Sequence, residues 1–134
     1  MSNADAIKGL YEAFGRGDMP TVLGLLDPAV RWHEAEGSPY QPMGDGWIGP
    51  EAVVSNLFTK MGEDWSSFTV QPERFHDAGT VVTVEGRYVA KHAASGKALD
   101  CQFCHVWTFG GGKITKFQQY VDTAQLQDVM EDES

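Results

Sequence analysis

The alternation of apolar and polar residues predicts helices in the first half of the chain and strands in the second. Apolar residues recur at helical spacing over residues 4–14, and two glycines then end the run. Asp18 can cap a second helix that Asp27-Pro28 ends, with an apolar stripe of Val22, Leu25 and Leu26. These two helices should form a hairpin.

The next segment predicts a short strand, a long loop and a third helix. Alternation from Val30 to Glu34 places Val30, Trp32 and Glu34 on one strand face. Residues 35–47 hold two prolines and three glycines without any periodicity, which indicates a loop. Pro50 then opens the third helix, whose apolar stripe is Val53, Val54, Leu57, Phe58 and Met61.

Beyond the third helix the hydrophobic period changes to two, which is typical of strands. Turn residues separate four such runs, so we expect an antiparallel meander with strands at residues 67–75, 80–92, 98–109 and 113–121. Asp122 to Gln125 fits a capping box, which predicts a short final helix through Met130.

Helices followed by a long antiparallel sheet predict an α+β fold in which the sheet curls into a cone that covers the N-terminal helices. Curling creates an interior pocket. The long strands are apolar on both faces, so one face should line the pocket and the other should meet a second copy of the chain. The 134 residues fit a single domain, residues 1–134, with loose ends at 1–4 and 131–134.

The charge balance excludes several classes of partner. Ten basic against 19 acidic side chains give a net charge of −9, so nucleic acid and anionic membrane surfaces are disfavoured. The N-terminus has no basic region followed by an apolar run, and nowhere does a membrane-spanning stretch occur. We therefore expect a cytoplasmic protein.

Residues 101–105 read Cys-Gln-Phe-Cys-His, the pattern that carries covalent haem. The surrounding apolar row has strand periodicity, so Cys101 and Cys104 should point to opposite faces, about 10 Å apart. That separation is too long for a disulfide and unsuited to a shared metal or haem. We expect no haem, and His105 needs another explanation.

Several short stretches occur in an order typical of a known family: YEAFGRGD at residues 11–18, VRW at 30–32, WIGP at 47–50, HVWTF at 105–109 with GKI at 112–114, and YVDT at 120–123. Over roughly residues 7–129 the chain resembles the SnoaL-like branch of the NTF2-like superfamily, which also contains the ketosteroid isomerases. The resemblance implies a cone-shaped α+β barrel, commonly dimeric, with an apolar pocket for a small organic molecule. It implies no single reaction, because these folds host many.

The resemblance indicates two candidate catalytic carboxylates. Glu34 matches the position of the general base in the steroid isomerases, where desolvation would raise its pKa; the alternative is a solvated strand end. Asp122 matches an aspartate that some polyketide cyclases of the SnoaL-like family use as acid and base. Its alternative role is that of an N-cap.

His105 is the strongly polar member of its apolar row, and we interpret it as a pocket residue, with a satisfied core histidine as the alternative. A pair with Asp122 would fix the imidazole tautomer. The oxyanion hole of the steroid isomerases needs a first-helix tyrosine, where the match offers Leu10 with Tyr11 beside it. It also needs a strand carboxylic acid, where the match offers Cys104 or His105. Ketosteroid isomerisation itself is therefore disfavoured.

Aromatic residues supply candidate ligand contacts, although we expect most of them to be core and about two to touch the pocket: Trp32, Tyr40, Trp65, Trp107 and Tyr120. Tyr40 and Trp47 could also form a lid. Strand alternation sends His33 away from Glu34 and Glu36, so no metal site is expected.

Two hypotheses follow. The first is a cofactor-free isomerase, cyclase, hydratase or hydrolase that moves protons on a small apolar carbonyl compound or epoxide, using Glu34, His105 and Asp122. The second is a non-catalytic ligand-binding or dimerisation domain.

Overall fold

The computed structural model describes residues 2–41 and 46–131, which form helices and one sheet. In chain order the elements are α1 (Asn3–Gly15), α2 (Met19–Gly24), β1 (Leu26–His33), β2 (Trp47–Ile48), α3 (Pro50–Val53), a π-helical turn (Val54–Phe58), α4 (Thr59–Asp64), β3 (Trp65–Asp77), β4 (Val81–His92), β5 (Ala98–Gly110), β6 (Lys113–Val121) and α5 (Thr123–Met130). The predicted hairpin helices, third helix, four-strand meander and final helix are confirmed.

The sheet is curved and unclosed, and its six strands lie in the order β2-β1-β6-β5-β4-β3. Strands β3 to β6 form the expected antiparallel meander. Strand β1 is parallel to β6, so the sheet is mixed and not wholly antiparallel as predicted. Parallel neighbours need a long connection, and the helices and meander between β1 and β6 supply it. The α+β cone predicted from the sequence is confirmed.

Three boundaries differ from the predictions. Ser2 and Asp5 form a capping box, so Asn3 and Ala4 belong to α1 and not to a loose end. Helix α2 ends at Gly24, and Leu26 starts β1, because Leu26 gains a partner in Ile114 of β6. Trp47, the last residue of the predicted loop, and Ile48 pair with β1 as β2. Residues 1, 42–45 and 132–134, including parts of the predicted loop and loose ends, lie outside the described residues.

The core fills the space between the helices and the inner face of the sheet. Burial alternates strictly along β5 from Leu99 to Phe109, which places the row containing His105 inward and Cys104 outward. Helix α1 packs across β3 and β4, and α3 packs on β1. Gly86 lets the β4 backbone approach the Phe103 ring closely, because a Cβ at this position would lie only 2.6 Å from a ring atom. Among the described helices, none is long and apolar enough to cross a membrane.

Candidate functional site

A small cavity lies between α1 and the inner face of the sheet, with a volume of about 60 Å³. Most of its wall is aromatic or aliphatic. Its polar wall residues are Tyr11, Glu34, Tyr88, His105 and Gln119, which come from α1, the end of β1 and three neighbouring strands. The space can hold a few water molecules. The fold therefore brings together ionisable groups that are far apart in sequence and surrounds them with apolar side chains.

His105 stands between two tyrosines. Its Nδ1 shares a hydrogen bond of 2.6 Å with the Tyr11 hydroxyl, and its Nε2 shares one of 2.5 Å with the Tyr88 hydroxyl. The imidazole also stacks on Phe103, with ring centroids 4.0 Å apart and an interplanar angle of 16°. Because both nitrogens are bonded and one ring face is covered, the orientation of the imidazole is fixed.

Each tyrosine receives a second hydrogen bond that holds its hydroxyl oxygen. The Trp107 indole Nε1–H donates to the Tyr11 oxygen at 3.0 Å, and the Gln119 Nε2–H donates to the Tyr88 oxygen at 2.8 Å. These five side chains form a continuous network across the inner sheet face, which we call the His105 network: Trp107, Tyr11, His105, Tyr88 and Gln119. Buried polar networks with every member bonded are rigid.

The His105 network is electrically neutral at neutral pH. His105 is 5% exposed, and burial lowers its pKa to about 3 because desolvation disfavours the imidazolium. Burial likewise raises the pKa of both the Tyr11 and Tyr88 hydroxyls well above the ordinary value. At neutral pH the imidazole therefore carries one N–H, and both tyrosines keep their protons.

Glu34 is the acidic group of the cavity. It directly follows β1 and is 5% exposed, and burial raises the pKa of its carboxyl to about 8. The Trp32 indole is close enough to offset part of that rise, although its buried Nε1–H makes no hydrogen bond of ordinary geometry. The backbone beyond Glu34 is held by Gln119, whose Oε1 accepts from the Ala35 N–H at 3.3 Å. Gln119 thus connects the chain beside Glu34 to the His105 network.

A carboxyl with a pKa close to neutrality can both take and give a proton under ordinary conditions. Hydroxyl donors in the same apolar space can stabilise negative charge on a ligand oxygen, since hydrogen bonds are stronger where water is excluded. The arrangement is chemically suited to moving a proton on a molecule that contains a polarised oxygen.

The structure places the predicted catalytic residues in two locations. Glu34 and His105 line the same cavity. Asp122 is exposed and caps α5, accepting the Gln125 N–H at 3.1 Å, and it borders a groove on the outer sheet face. The predicted pairing of His105 with Asp122 is therefore absent: both imidazole nitrogens bond to tyrosines, as described above.

The predicted ligand contacts also separate. Trp32 lines the cavity, whereas the Tyr120 side chain is 58% exposed on the outer face. Tyr40 and Trp65 lie outside the cavity wall and form a small network with α4: the Tyr40 hydroxyl donates to Asp64 at 2.7 Å and accepts from the Trp65 indole at 3.0 Å. Trp47 is tied to the same place, because its indole donates to the Tyr40 carbonyl at 3.2 Å.

Sequence reasoning missed three polar residues of the cavity, namely Tyr11, Tyr88 and Gln119. The match to the steroid isomerases offered Leu10 at the first-helix position, but the Tyr11 hydroxyl is the group that reaches His105. A signal was present: Tyr11 lies on the apolar stripe of α1, and Tyr88 lies in the inward row of β4. A hydroxyl at a buried position requires a partner, and His105 supplies it for both.

Among the described residues, no group of three or more His, Cys, Asp or Glu side chains is arranged to hold a metal ion. Cys101 is buried and Cys104 is half-buried on the opposite face of β5, as the alternation predicts, and both are free thiols.

Comparison with known proteins agrees with this architecture. The family described as SnoaL-like domain matches residues 7–117. An NTF2-like protein from Burkholderia thailandensis E264 is 30% identical over 98% of each chain, with a TM-score of 0.92. An NTF2-like protein of unknown function from Burkholderia pseudomallei K96243 is 30% identical over 97% of this chain and 98% of its own, with a TM-score of 0.86.

TerC, which was co-crystallized with polyporic acid, is 25% identical over 97% of this chain and 98% of its own, with a TM-score of 0.83. No curated protein matches the sequence. Because the family match covers most of the chain and the fold agrees throughout, this chain belongs to the SnoaL-like domain family of NTF2-like proteins.

Proposed function

We propose that the protein is a cofactor-independent enzyme that moves a proton on a small apolar carbonyl compound, in an isomerisation or a cyclisation. The observation that carries the proposal is the shared cavity: Glu34, Tyr11 and Tyr88 line one small and mainly apolar space. A carboxyl and hydroxyl donors at one site are the groups that proton abstraction next to a carbonyl requires.

In this mechanism the ligand carbonyl oxygen accepts a hydrogen bond from a cavity tyrosine, while the ionised Glu34 takes a proton from the adjacent carbon. The resulting enolate is stabilised by the hydroxyl, and the protonated Glu34 returns the proton to another atom of the ligand. A proton that leaves and re-enters through one carboxyl changes the position of a bond without any cofactor. His105 holds the tyrosines in place and is not itself the base, because it stays neutral and its basicity is low.

TerC supports a small organic ligand for this fold, since it was co-crystallized with polyporic acid. The alternative is a non-catalytic ligand-binding or dimerisation domain, and the small size of the cavity favours a dimerisation domain. About 60 Å³ is far below the roughly 300–1,000 Å³ of ordinary ligand pockets. Binding a ring-sized molecule therefore requires the apolar wall to move, and Met61, Phe68 and Val70 are wall residues that are themselves partly exposed.

Hydrogen–deuterium exchange at the carbon next to a carbonyl tests the proposal without knowledge of the natural substrate. We expect the protein to accelerate the exchange of hydrogen for deuterium next to the carbonyl of cyclohex-2-enone, or of a smaller ketone, in D₂O. Proton NMR measures the exchange rate. Glu34→Gln should abolish the acceleration. The rate should rise about tenfold per pH unit and level off above about pH 8, since the ionised carboxyl is the base.

Glu36→Gln is the matched control, because Glu36 is two residues away and exposed. Acceleration that persists in Glu34→Gln, or that is lost equally in Glu36→Gln, would contradict the assignment of Glu34 as the base. Specific binding of the ketones without any exchange would support the non-catalytic alternative.

We also propose that two copies associate through the outer face of the sheet. Val89 and Tyr120 are exposed there by 40% and 58%. Glu85, Cys104 and Tyr120 lie side by side in register across β4, β5 and β6. Exposed side chains of this size are candidates for a subunit interface, and charged side chains accompany them, such as Asp100 opposite Val89.

A further inference from the structure

We infer that His105 is a proton relay between Tyr11 and Tyr88, and that it works by exchanging its two neutral tautomers. The inference rests on the proposed function for its role in the reaction, while its test does not depend on catalysis. The geometry that carries it is the symmetry of the His105 network: each imidazole nitrogen bonds to one tyrosine oxygen, at 2.6 and 2.5 Å. Each of these oxygens has a second, fixed N–H donor on its other side.

The hydrogen-bond count leaves two arrangements that satisfy the network equally well. With the proton on Nδ1, His105 donates to Tyr11 and accepts from the Tyr88 hydroxyl. With the proton on Nε2, His105 donates to Tyr88 and accepts from the Tyr11 hydroxyl. The Trp107 and Gln119 donors can only donate, so they are unchanged in both arrangements. Every N–H donor of the network keeps its partner when the tautomer changes, while one tyrosine O–H is released and the other is engaged by the imidazole.

In either arrangement one tyrosine hydrogen is free to point into the cavity. When Nδ1 carries the proton, the Tyr11 oxygen accepts two hydrogen bonds, so its own hydrogen is available to a ligand oxygen. When Nε2 carries the proton, the Tyr88 hydrogen is available instead. The cavity therefore always holds one donor hydroxyl, and the tautomer of His105 decides which tyrosine supplies it.

A change of tautomer moves one proton across the network. Starting from the Nε2–H form, Tyr11 gives its hydrogen to Nδ1 and takes one from an oxygen in the cavity. At the same time the proton on Nε2 moves to the Tyr88 oxygen. The proton that Tyr88 carried before then leaves its oxygen for an acceptor. One proton enters at Tyr11 and one leaves at Tyr88, so the network keeps its charge and its number of protons. No imidazolium is required.

Glu34 is the acceptor that the structure offers on the Tyr88 side. It lines the same cavity, and, after burial, its ionised form is the next cause that raises the pKa of Tyr88. Gln119 links the two residues, because its amide N–H donates to the Tyr88 hydroxyl and its amide oxygen accepts from the Ala35 N–H directly after Glu34. The relay can thus remove a proton from a ligand oxygen at Tyr11 and deliver one to the Glu34 carboxylate. This suits a ligand whose enol or hydroxyl oxygen must lose a proton while a ring or chain carbon gains one.

The test is nitrogen NMR of the protein labelled with ¹⁵N-histidine, in which the ring nitrogen shifts report the tautomer. Tyr11→Phe removes the partner of Nδ1, so the proton should move to Nε2, since an unpaired buried N–H is costlier than an unpaired acceptor. Tyr88→Phe should move it to Nδ1 for the same reason. We expect the tautomer ratio to shift by about tenfold or more in opposite directions.

Tyr120→Phe is the control, because it removes an exposed hydroxyl on the outer face and should leave the ratio unchanged. His105→Gln assigns the signals by their loss. Should a tyrosine variant fail to fold, Trp107→Phe replaces Tyr88→Phe: it frees the Tyr11 oxygen to accept from Nδ1–H and should shift the ratio the same way.

The relay would be overturned if Tyr11→Phe and Tyr88→Phe, or its replacement Trp107→Phe, had the same tautomer. It would also be overturned if the wild-type imidazole were protonated near neutral pH. Either result leaves the ketone exchange assay of the proposed function unaffected. Conversely, opposite tautomers together with no ketone exchange would retain the relay and remove its catalytic role.

Discussion

Replacing Glu34 with glutamine should make the protein more stable at high pH relative to the wild type. The folded chain keeps the Glu34 proton up to about pH 8, whereas the unfolded chain releases it near 4.5. The folded-state pKa is raised, so this contribution to stability is complete below about pH 4.5 and is lost as pH rises through about 8. Glutamine has a similar size and never ionises, which removes the dependence.

The magnitude follows from the size of the shift. Between the two pKa values, each pH unit lowers the free energy of unfolding by about 1.4 kcal/mol. From about pH 6 to about pH 8, with partial titration near pH 8 included, the loss is about 2 kcal/mol. His105 acts in the opposite direction, because its pKa falls from 6.5 to about 3 and its contribution is lost as pH falls. The wild-type curve alone is therefore a sum of the two.

The difference in free energy of unfolding between the wild type and Glu34→Gln isolates the contribution of the Glu34 carboxyl, since both proteins contain His105 and its contribution cancels. Urea unfolding at about pH 6 and at about pH 8 should show this difference moving by about 2 kcal/mol in favour of glutamine. The exposed Glu36→Gln variant serves as the control and should track the wild type at both pH values. A constant difference for Glu34→Gln would show that Glu34 ionises equally easily in the folded and unfolded chain, so that burial does not raise its pKa.

Two further predictions concern packing and assembly. Gly86→Ala should lower the free energy of unfolding by about 2 to 3 kcal/mol in urea unfolding, because its Cβ would lie 2.3 Å from the Gln71 carbonyl oxygen. Gly62→Ala, in α4 with open space around it, should instead gain about 1 kcal/mol; a similar loss in both would contradict the close approach. Tyr120→Lys should convert the dimer to a monomer in analytical sedimentation. Ile48→Lys, at a similarly exposed residue on β2, should leave the dimer intact. A monomeric wild type would disprove the interface.

Local patterns were sufficient to predict most of the fold. Strict alternation along β5 predicted which side chains point inward, and this placed His105 in the interior. The direction of β1 could not be predicted in this way. Alternation identifies a strand and its faces but contains no information about which strand lies beside it. The parallel pairing of β1 with β6 depends on residues about 85 positions apart, such as Trp32 and Phe117.

The candidate site was predicted only in part, for a related reason. Glu34 and His105 were recognisable as polar residues at apolar positions. The partners of His105 were not, because tyrosine is common in cores and its hydroxyl can bond in many directions. Tyr11 lies 94 positions from His105. Asp122 shows how one residue can fit two roles: its side chain is the N-cap of α5, which was the alternative predicted from the sequence, and its catalytic role stays a prediction.

In the proposed reaction, Glu34 and a cavity tyrosine act on one bound carbonyl compound. The most direct test is a crystal structure with cyclohex-2-enone bound. We predict that its oxygen lies within about 3 Å of the Tyr11 or Tyr88 hydroxyl and that a ring carbon faces Glu34. A ligand held only in the outer groove beside Asp122, with Glu34 still enclosed by its wall, would contradict the account.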